Sequence, residues 1–177
     1  MTRGYRALAF MQAQAHLIEV CSSGVEVIEA FGSSFDVQSI GTLDDIDQIV
    51  RYSKSIIRET YGATFDPPEI IAERTKSDRA GEYRRKDRRI WFNMHTAQDD
   101  VPLSQRVAVS KLLILHEIAH HAAYMRHRVT EARAHGPAFL KEFQTLIAQA
   151  FSPSMSSLFS IYYYEAVDLY KNKEMKK

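Results

Sequence analysis

Residues 112–121, LLILHEIAHH, limit what this chain can fold into more than any other stretch. With Val107, Ala108, Leu112, Leu113, Ile114, Leu115, Ile118, Ala119 and Ala122, a helix here is apolar almost all round, which places it in the middle of a domain. Yet His116, Glu117 and His120 stand within it as an HExxH motif. Burying two imidazoles and a carboxylate without partners is costly, and a metal ion is a partner that serves all three. Residues four apart project from one helix face, one turn above each other, so His116 and His120 can bind one ion through ring nitrogens. Glu117 lies about 100° round the helix from His116, within reach of a water at that ion. The plainer reading is two hydrogen-bonded core histidines beside an ordinary helix glutamate, and it accounts for less of the pattern.

Catalytic zinc usually has three protein ligands and a fourth position for water. Candidates for the third follow the helix. His121 is one residue from His120 and so about 100° away from it. His127 shares the face but lies roughly 10 Å further along the axis, and both read as surface or supporting residues. Glu131 or Glu142, from a following helix, would give a thermolysin-like set. The metzincin spacing is excluded, because it needs glycine where Ala123 stands and histidine where Arg126 stands. His135 is favoured: it precedes Gly136 and Pro137, and glycine followed by proline marks a helix start. The ligand would then sit where the chain turns into a second helix, residues 138–150, that packs back over the site.

HEIAHH followed after a loop by HGPAF resembles the SprT-like (Spartan-like) zinc metallopeptidases, in which a histidine–glycine pair after HExxH opens the next helix. The fifteen-residue step from His120 to His135 agrees with that pattern. From about Tyr5 to Tyr170 the chain is also similar to a group of small metallohydrolases of actinobacteria and their phages. The shared order is N-terminal helix, hairpin, helix, three-stranded segment, HExxH helix, HGPxF helix and C-terminal helix. The resemblance implies an α+β, zincin-like single domain, with a central HExxH helix packed on a small, mainly antiparallel sheet and flanked by helices. It implies Zn2+ as cofactor, His116, His120 and His135 as its ligands, and Glu117 as catalytic acid/base. It implies no particular substrate. The zinc-binding or partner-binding tail of the better-known relatives is not read here, so their recruitment to DNA does not carry over.

Composition sets outer bounds. A chain of 177 residues, 45% of them hydrophobic, can bury one good core and is short for two domains. Its 23 Lys and Arg against 22 Asp and Glu leave a formal charge of +1, no global reason to expect a nucleic-acid or membrane partner. The single cysteine, Cys21, excludes an intrachain disulfide framework and a cysteine-rich zinc module, and it reads as a packed or partly exposed thiol rather than a nucleophile. The N-terminus is interrupted by Gln12, Gln14 and His16 and lacks a small-residue cleavage site, and no apolar run approaches a membrane span. The expectation is a soluble, cytoplasmic protein acting on protein or peptide, with its oligomeric state open.

Helix is expected over residues 4–20, then two short strands around Gly32-Ser33-Ser34. Thr42 is expected to cap a helix ending at Tyr61 and Gly62, with Asp44 and Asp45 in its first turn and a stripe of Ile46, Ile49, Val50, Ser53, Ile56 and Ile57. Strands are expected at 69–75, 81–85 and 89–95, and a polar loop at 96–102. In zincins a strand beside the metal binds extended substrate through main-chain hydrogen bonds. IWFNMH, just before the HExxH helix, is the expected one, with Asn93 and His95 as lesser candidates; its plain reading is a half-buried strand with Ile90, Phe92 and Met94 on one face. Arg79, Arg84, Arg85, Lys86, Arg88 and Arg89 could grip a phosphate backbone, but few aromatic residues are interleaved for stacking, and a solvated hairpin turn is preferred. Ile161, Tyr164, Val167 and Asp168 fall near helical spacing, so IYYYEAVDLY reads as a helix covering the core, followed by a disordered basic tail at about 171–177.

The chemistry expected is metal-assisted hydrolysis of an amide bond, with Glu117 accepting the proton of the attacking water and delivering it to the leaving amine. The one candidate for stabilising the oxyanion is Tyr124, one turn past His120. Two readings from other classes stand beside it. A zinc-containing binding or regulatory protein would not need Glu117, and a nucleic-acid-directed hydrolase would need the arginine-rich hairpin.

Overall fold

Residues 4–73, 80–94, 109–128 and 135–174 are described by a computed structural model. In chain order the elements are α1 (Gly4–Ser22), β1 (Val27–Ala30), β2 (Ser33–Asp36), β3 (Thr42–Leu43), α2 (Ile46–Tyr61), β4 (Glu69–Glu73), β5 (Gly81–Arg84), β6 (Arg89–Asn93), β7 (Val109–Ser110), α3 (Lys111–His127), α4 (Pro137–Ala150) and α5 (Pro153–Glu174). The α+β expectation holds at that level. The chain divides into two units, one from its ends (Met1–Ile40 and Glu131–Lys177) and one from its middle (Gly41–Thr130). No helix among the described residues is long and apolar enough to cross a membrane.

In the first unit, Tyr5, Ala9, Phe10, Ala13 and Leu17 recur at helical spacing and are the buried face of α1. That face packs on α5, which in turn packs on α4. Phe10 is the centre of the core: its ring meets Phe139, Phe143 and Phe159 edge-on, at centroid distances of 5.1, 5.0 and 5.5 Å. β1 and β2 form the expected hairpin, but the turn is Phe31-Gly32 rather than Gly32-Ser33-Ser34, because Ala30 pairs directly with Ser33. Both turn residues have positive φ, 53° and 74°, as a two-residue hairpin loop requires. α5 reaches Glu174, so Lys171 and Lys173 lie on a helix and not in a disordered tail; Lys176 and Lys177 are outside the described residues.

In the second unit, α2 buries Ile49, Ser53, Ile56 and Ile57 and ends at Gly62, whose φ of 83° suits glycine. Its cap is Asp45, whose carboxylate accepts from the Gln48 N–H at 2.8 Å. Thr42 is not the cap: it pairs with Ser110 in the β3–β7 ladder. Threonine and aspartate both cap helices, and the choice fell to a strand pairing that no local pattern announces.

The main sheet has the order β4-β6-β5, with β4 parallel and β5 antiparallel to β6. β6 is therefore central. Ile90, Trp91, Phe92, Asn93 and Met94 are all buried, so the segment is covered on both faces and is not the half-buried strand expected. α3 lies against β5, with further contacts to α2 and β7. Phe10→Ala is expected to lower the unfolding free energy by about 3–5 kcal/mol. Asp45→Ala should lower it by only about 1 kcal/mol, and urea denaturation measures both.

Candidate metal centre

α3 forms where sequence reading placed it, and its ends are fixed. The Ser110 hydroxyl accepts from the Leu113 N–H at 3.1 Å, and at the other end Arg128 adopts a left-handed conformation and returns its N–H to the carbonyls of Ala123 and Tyr124. Leu112, Ile114, Leu115, Ile118, Ala119 and Ala122 are fully buried. His116 and His120, one turn apart, turn their Nε2 atoms toward each other at 3.1 Å. Two nitrogens on one tetrahedral zinc, each about 2.0–2.1 Å from it, would be roughly 3.3 Å apart. The pair thus already has the bite of a two-histidine chelate.

Glu117 is held by the neighbouring strand. The Asn93 N–H bonds to the Ala80 carbonyl at 2.9 Å, so residues 80, 82 and 84 face β6, while the main-chain groups of Gly81 and Tyr83 point to the open edge of β5. There the Tyr83 N–H donates to the Glu117 carboxylate. Gly81 allows the approach: a Cβ at that position would lie 3.3 Å from Glu117 Cγ and 3.4 Å from its Oε1. Burial pushes the Glu117 carboxyl up from 4.5 to about 7, with the Tyr83 N–H pulling the other way and Glu82 adding to the rise. A carboxyl tuned near neutrality is suited to taking and returning a proton.

His121 is not a surface residue; it is fully buried. Its Nε2 lies 2.9 Å from the Asp66 carbonyl, which can only accept, so Nε2 carries the proton. Nδ1 of the neutral ring is then an acceptor, and the Tyr83 hydroxyl, 3.2 Å away, donates to it. Burial lowers the His121 pKa, consistent with the neutral ring, and raises that of Tyr83 to about 12. Tyr83 thus holds α3 twice, by its backbone at Glu117 and by its phenol at His121. Nothing in GEYR announced Gly81 or Tyr83, because their roles depend on a strand pairing and a helix packing far away in sequence.

The segment expected to bind substrate, IWFNMH, is corrected by this topology. β6 is bonded on both edges, to β4 and β5, and has no free main-chain edge to offer over Arg89–Asn93; among the described residues the edge strand beside Glu117 is β5. Asn93 is buried on β6, and His95 is outside the described residues. Tyr124 is half-buried, with the Arg85 guanidinium over its ring at 5.6 Å.

His135 belongs to the first unit, immediately before Gly136, the N-cap of α4, with Pro137 opening the helix as expected. Its ring stacks on Phe10 at 5.2 Å and meets Phe139 edge-on at 4.8 Å. Burial lowers its pKa, which keeps the imidazole neutral and a nitrogen lone pair available. Glu142 is fully buried in α4; Glu131 lies outside the described residues. His127 is exposed at the end of α3. Cys21 is half-buried, within the expectation of a packed or partly exposed thiol, and burial pushes its pKa to about 11.

The raised Glu117 pKa gives a pH dependence with a definite sign. In the metal-free protein the folded chain holds a proton on Glu117 that the unfolded chain releases above 4.5, so stability is lost as pH rises from 4.5 through about 7. The full loss is on the order of 3 kcal/mol. The lowered pKa values of His121 and His135 act oppositely, costing stability as pH falls below 6.5, but they are common to wild type and variant. Metal-free Glu117→Gln should therefore gain on wild type between pH 5 and pH 8 in urea midpoints, and parallel curves would contradict it. No family model, curated protein or solved structure matches this chain.

Proposed function

We propose that the protein is a zinc-dependent metallopeptidase of the HExxH type, resembling the SprT-like enzymes. The observation that carries the reading is Glu117, a buried carboxyl beside two imidazoles with facing Nε2 atoms, since neither a structural metal site nor a hydrophobic core needs it. The ligands of the proposal are His116, His120 and His135. Each of the three is half-buried, and neutral nitrogen donors suit zinc. When bound, zinc supplies Lewis acidity toward the scissile carbonyl and acidifies a water.

The chain's own residues supply the rest. Glu117 accepts a proton at its carboxylate and delivers it to the leaving amine. The Tyr83 N–H and the bare face of Gly81 aim that carboxylate, and the buried apolar faces of α3 and β6 keep bulk water from it. The outer edge of β5, which no other strand pairs among the described residues, supports an extended peptide as substrate, adding through the outward groups that Glu117 does not use. A nucleic-acid-directed hydrolase is disfavoured, because Arg84, Arg88 and Arg89 are paired with Glu82, Asp66, and Glu69 with Asp87.

Metal analysis of the purified chain should find zinc, lost in His116→Ala and His120→Ala. His135→Ala should weaken binding by at least about tenfold; unchanged affinity would return Glu142 or Glu131 to consideration. Glu117→Gln should keep its zinc and lose casein cleavage by about 10²–10⁴-fold. Zinc binding without cleavage by the wild type would favour a binding or regulatory protein. Gly81→Val should lower kcat at retained metal content, because its side chain displaces Glu117.

A further inference from the structure

Just past the strand that aims Glu117, in the hairpin turn, lies an arginine with no carboxylate partner among the described residues. Of the arginines on the β5–β6 hairpin, Arg84 pairs with Glu82 at 3.3 Å, Arg88 with Asp66, and Arg89 with Glu69 at 2.8 Å and Asp87 at 3.5 Å. Arg85 has no acidic partner among the described residues. Half-buried, it lies over the Tyr124 ring, 5.6 Å from the centroid. Arg85 opens the turn, one residue past the end of β5, and with Gly81 and Tyr83 it makes a row that meets α3. That row keeps step with α3: Gly81 abuts Glu117, Tyr83 binds His121, and Arg85 covers Tyr124. A guanidinium that has lost part of its water, and that rests over an aromatic ring, is partly preorganised for an anion.

The geometry points to Arg85 as a specificity-determining residue that receives the carboxylate of an aspartate or glutamate in a peptide lying along β5. Glu117 and Tyr124 are about 10 Å apart along the helix axis, the span of about three extended residues, so the acid lies about three residues from the scissile bond. The occupant is an acidic peptide and not a nucleic acid, because a phosphate backbone needs several free cations. On the described part of this hairpin only Arg85 and exposed Lys86 lack a carboxylate. This inference rests on the peptidase reading and adds a substrate class to it.

Two measurements test it. The zinc-loaded protein is given a random peptide mixture, and cut sites are read by mass spectrometry. Acidic residues should be enriched about tenfold at one fixed position, one charge-assisted contact's worth; Arg85→Gln should erase the preference and Arg85→Glu replace it with lysine or arginine. In parallel, zinc-loaded Glu117→Gln, with and without Arg85→Gln, is titrated with a fluorescein-labelled glutamate-containing peptide, its glutamine counterpart and a short single-stranded DNA. The acidic peptide should bind about tenfold tighter than its counterpart, and only while Arg85 is present. Cleavage without an acidic preference, or with one that survives Arg85→Gln, overturns the role of Arg85 and leaves the peptidase reading standing. Arg85-dependent binding of the acidic peptide with no cleavage by wild type keeps Arg85 and overturns the peptidase. DNA bound more tightly than peptide, through Arg85, overturns the peptide as occupant, and absence of both binding and cleavage overturns both readings.

Discussion

A carboxylate inside an apolar helix is tolerable only where something polar meets it, and here that is the Tyr83 N–H. This one hydrogen bond links the sheet to the helix at the place where chemistry would occur. It is available because β5 is an edge strand, with every second N–H turned away from β6. It can form because residue 81 is glycine, so the strand comes close enough to touch the Glu117 side chain. Burial and the N–H act on Glu117 in opposite directions, and burial wins, leaving the carboxyl near 7.

The same contact fixes the register of strand against helix. Two strand residues advance about 6.7 Å and one helical turn about 5.4 Å, close enough for three successive contacts before the two drift apart. Tyr83 occupies the middle contact, bonding His121 there through its phenol, and reaches Glu117 with its N–H. Because the Asp66 carbonyl settles which nitrogen of His121 is protonated, the Tyr83 phenol has only one role open to it. Pinning an edge strand in this way commits the outward Tyr83 N–H to Glu117, so a peptide strand of the kind proposed would pair through the outward groups of Gly81 and the Tyr83 carbonyl.

Charge on the hairpin follows a similar economy of position. Its arginines looked from composition like a basic patch, yet three are neutralised by carboxylates brought in from β4, the turn before it and the hairpin itself. Arg79 lies outside the described residues, and among those described what is left is the Arg85 guanidinium with exposed Lys86 beside it in sequence, better matched to one anion than to a polyanion.

The sequence by itself determined what is local: the helix around HExxH, the facing of His116 and His120, the Gly62 stop of α2 and the helix start after His135, because spacing and cap chemistry act within a turn or two. It could not choose Asp45 over Thr42 as a cap, since both side chains can do the work and a strand pairing decided between them. It misplaced the edge strand because Asn93 makes IWFNMH look half-exposed, whereas both faces are covered and both edges are bonded. It read His121 as a surface or supporting residue, because a helix apolar all round does not reveal which element each residue will meet. Tertiary structure decided which strand lies at the edge, which backbone N–H meets Glu117 and which arginine stays unpaired. Each of these depends on groups dozens of residues apart, and only their packing brings them within a hydrogen bond of one another.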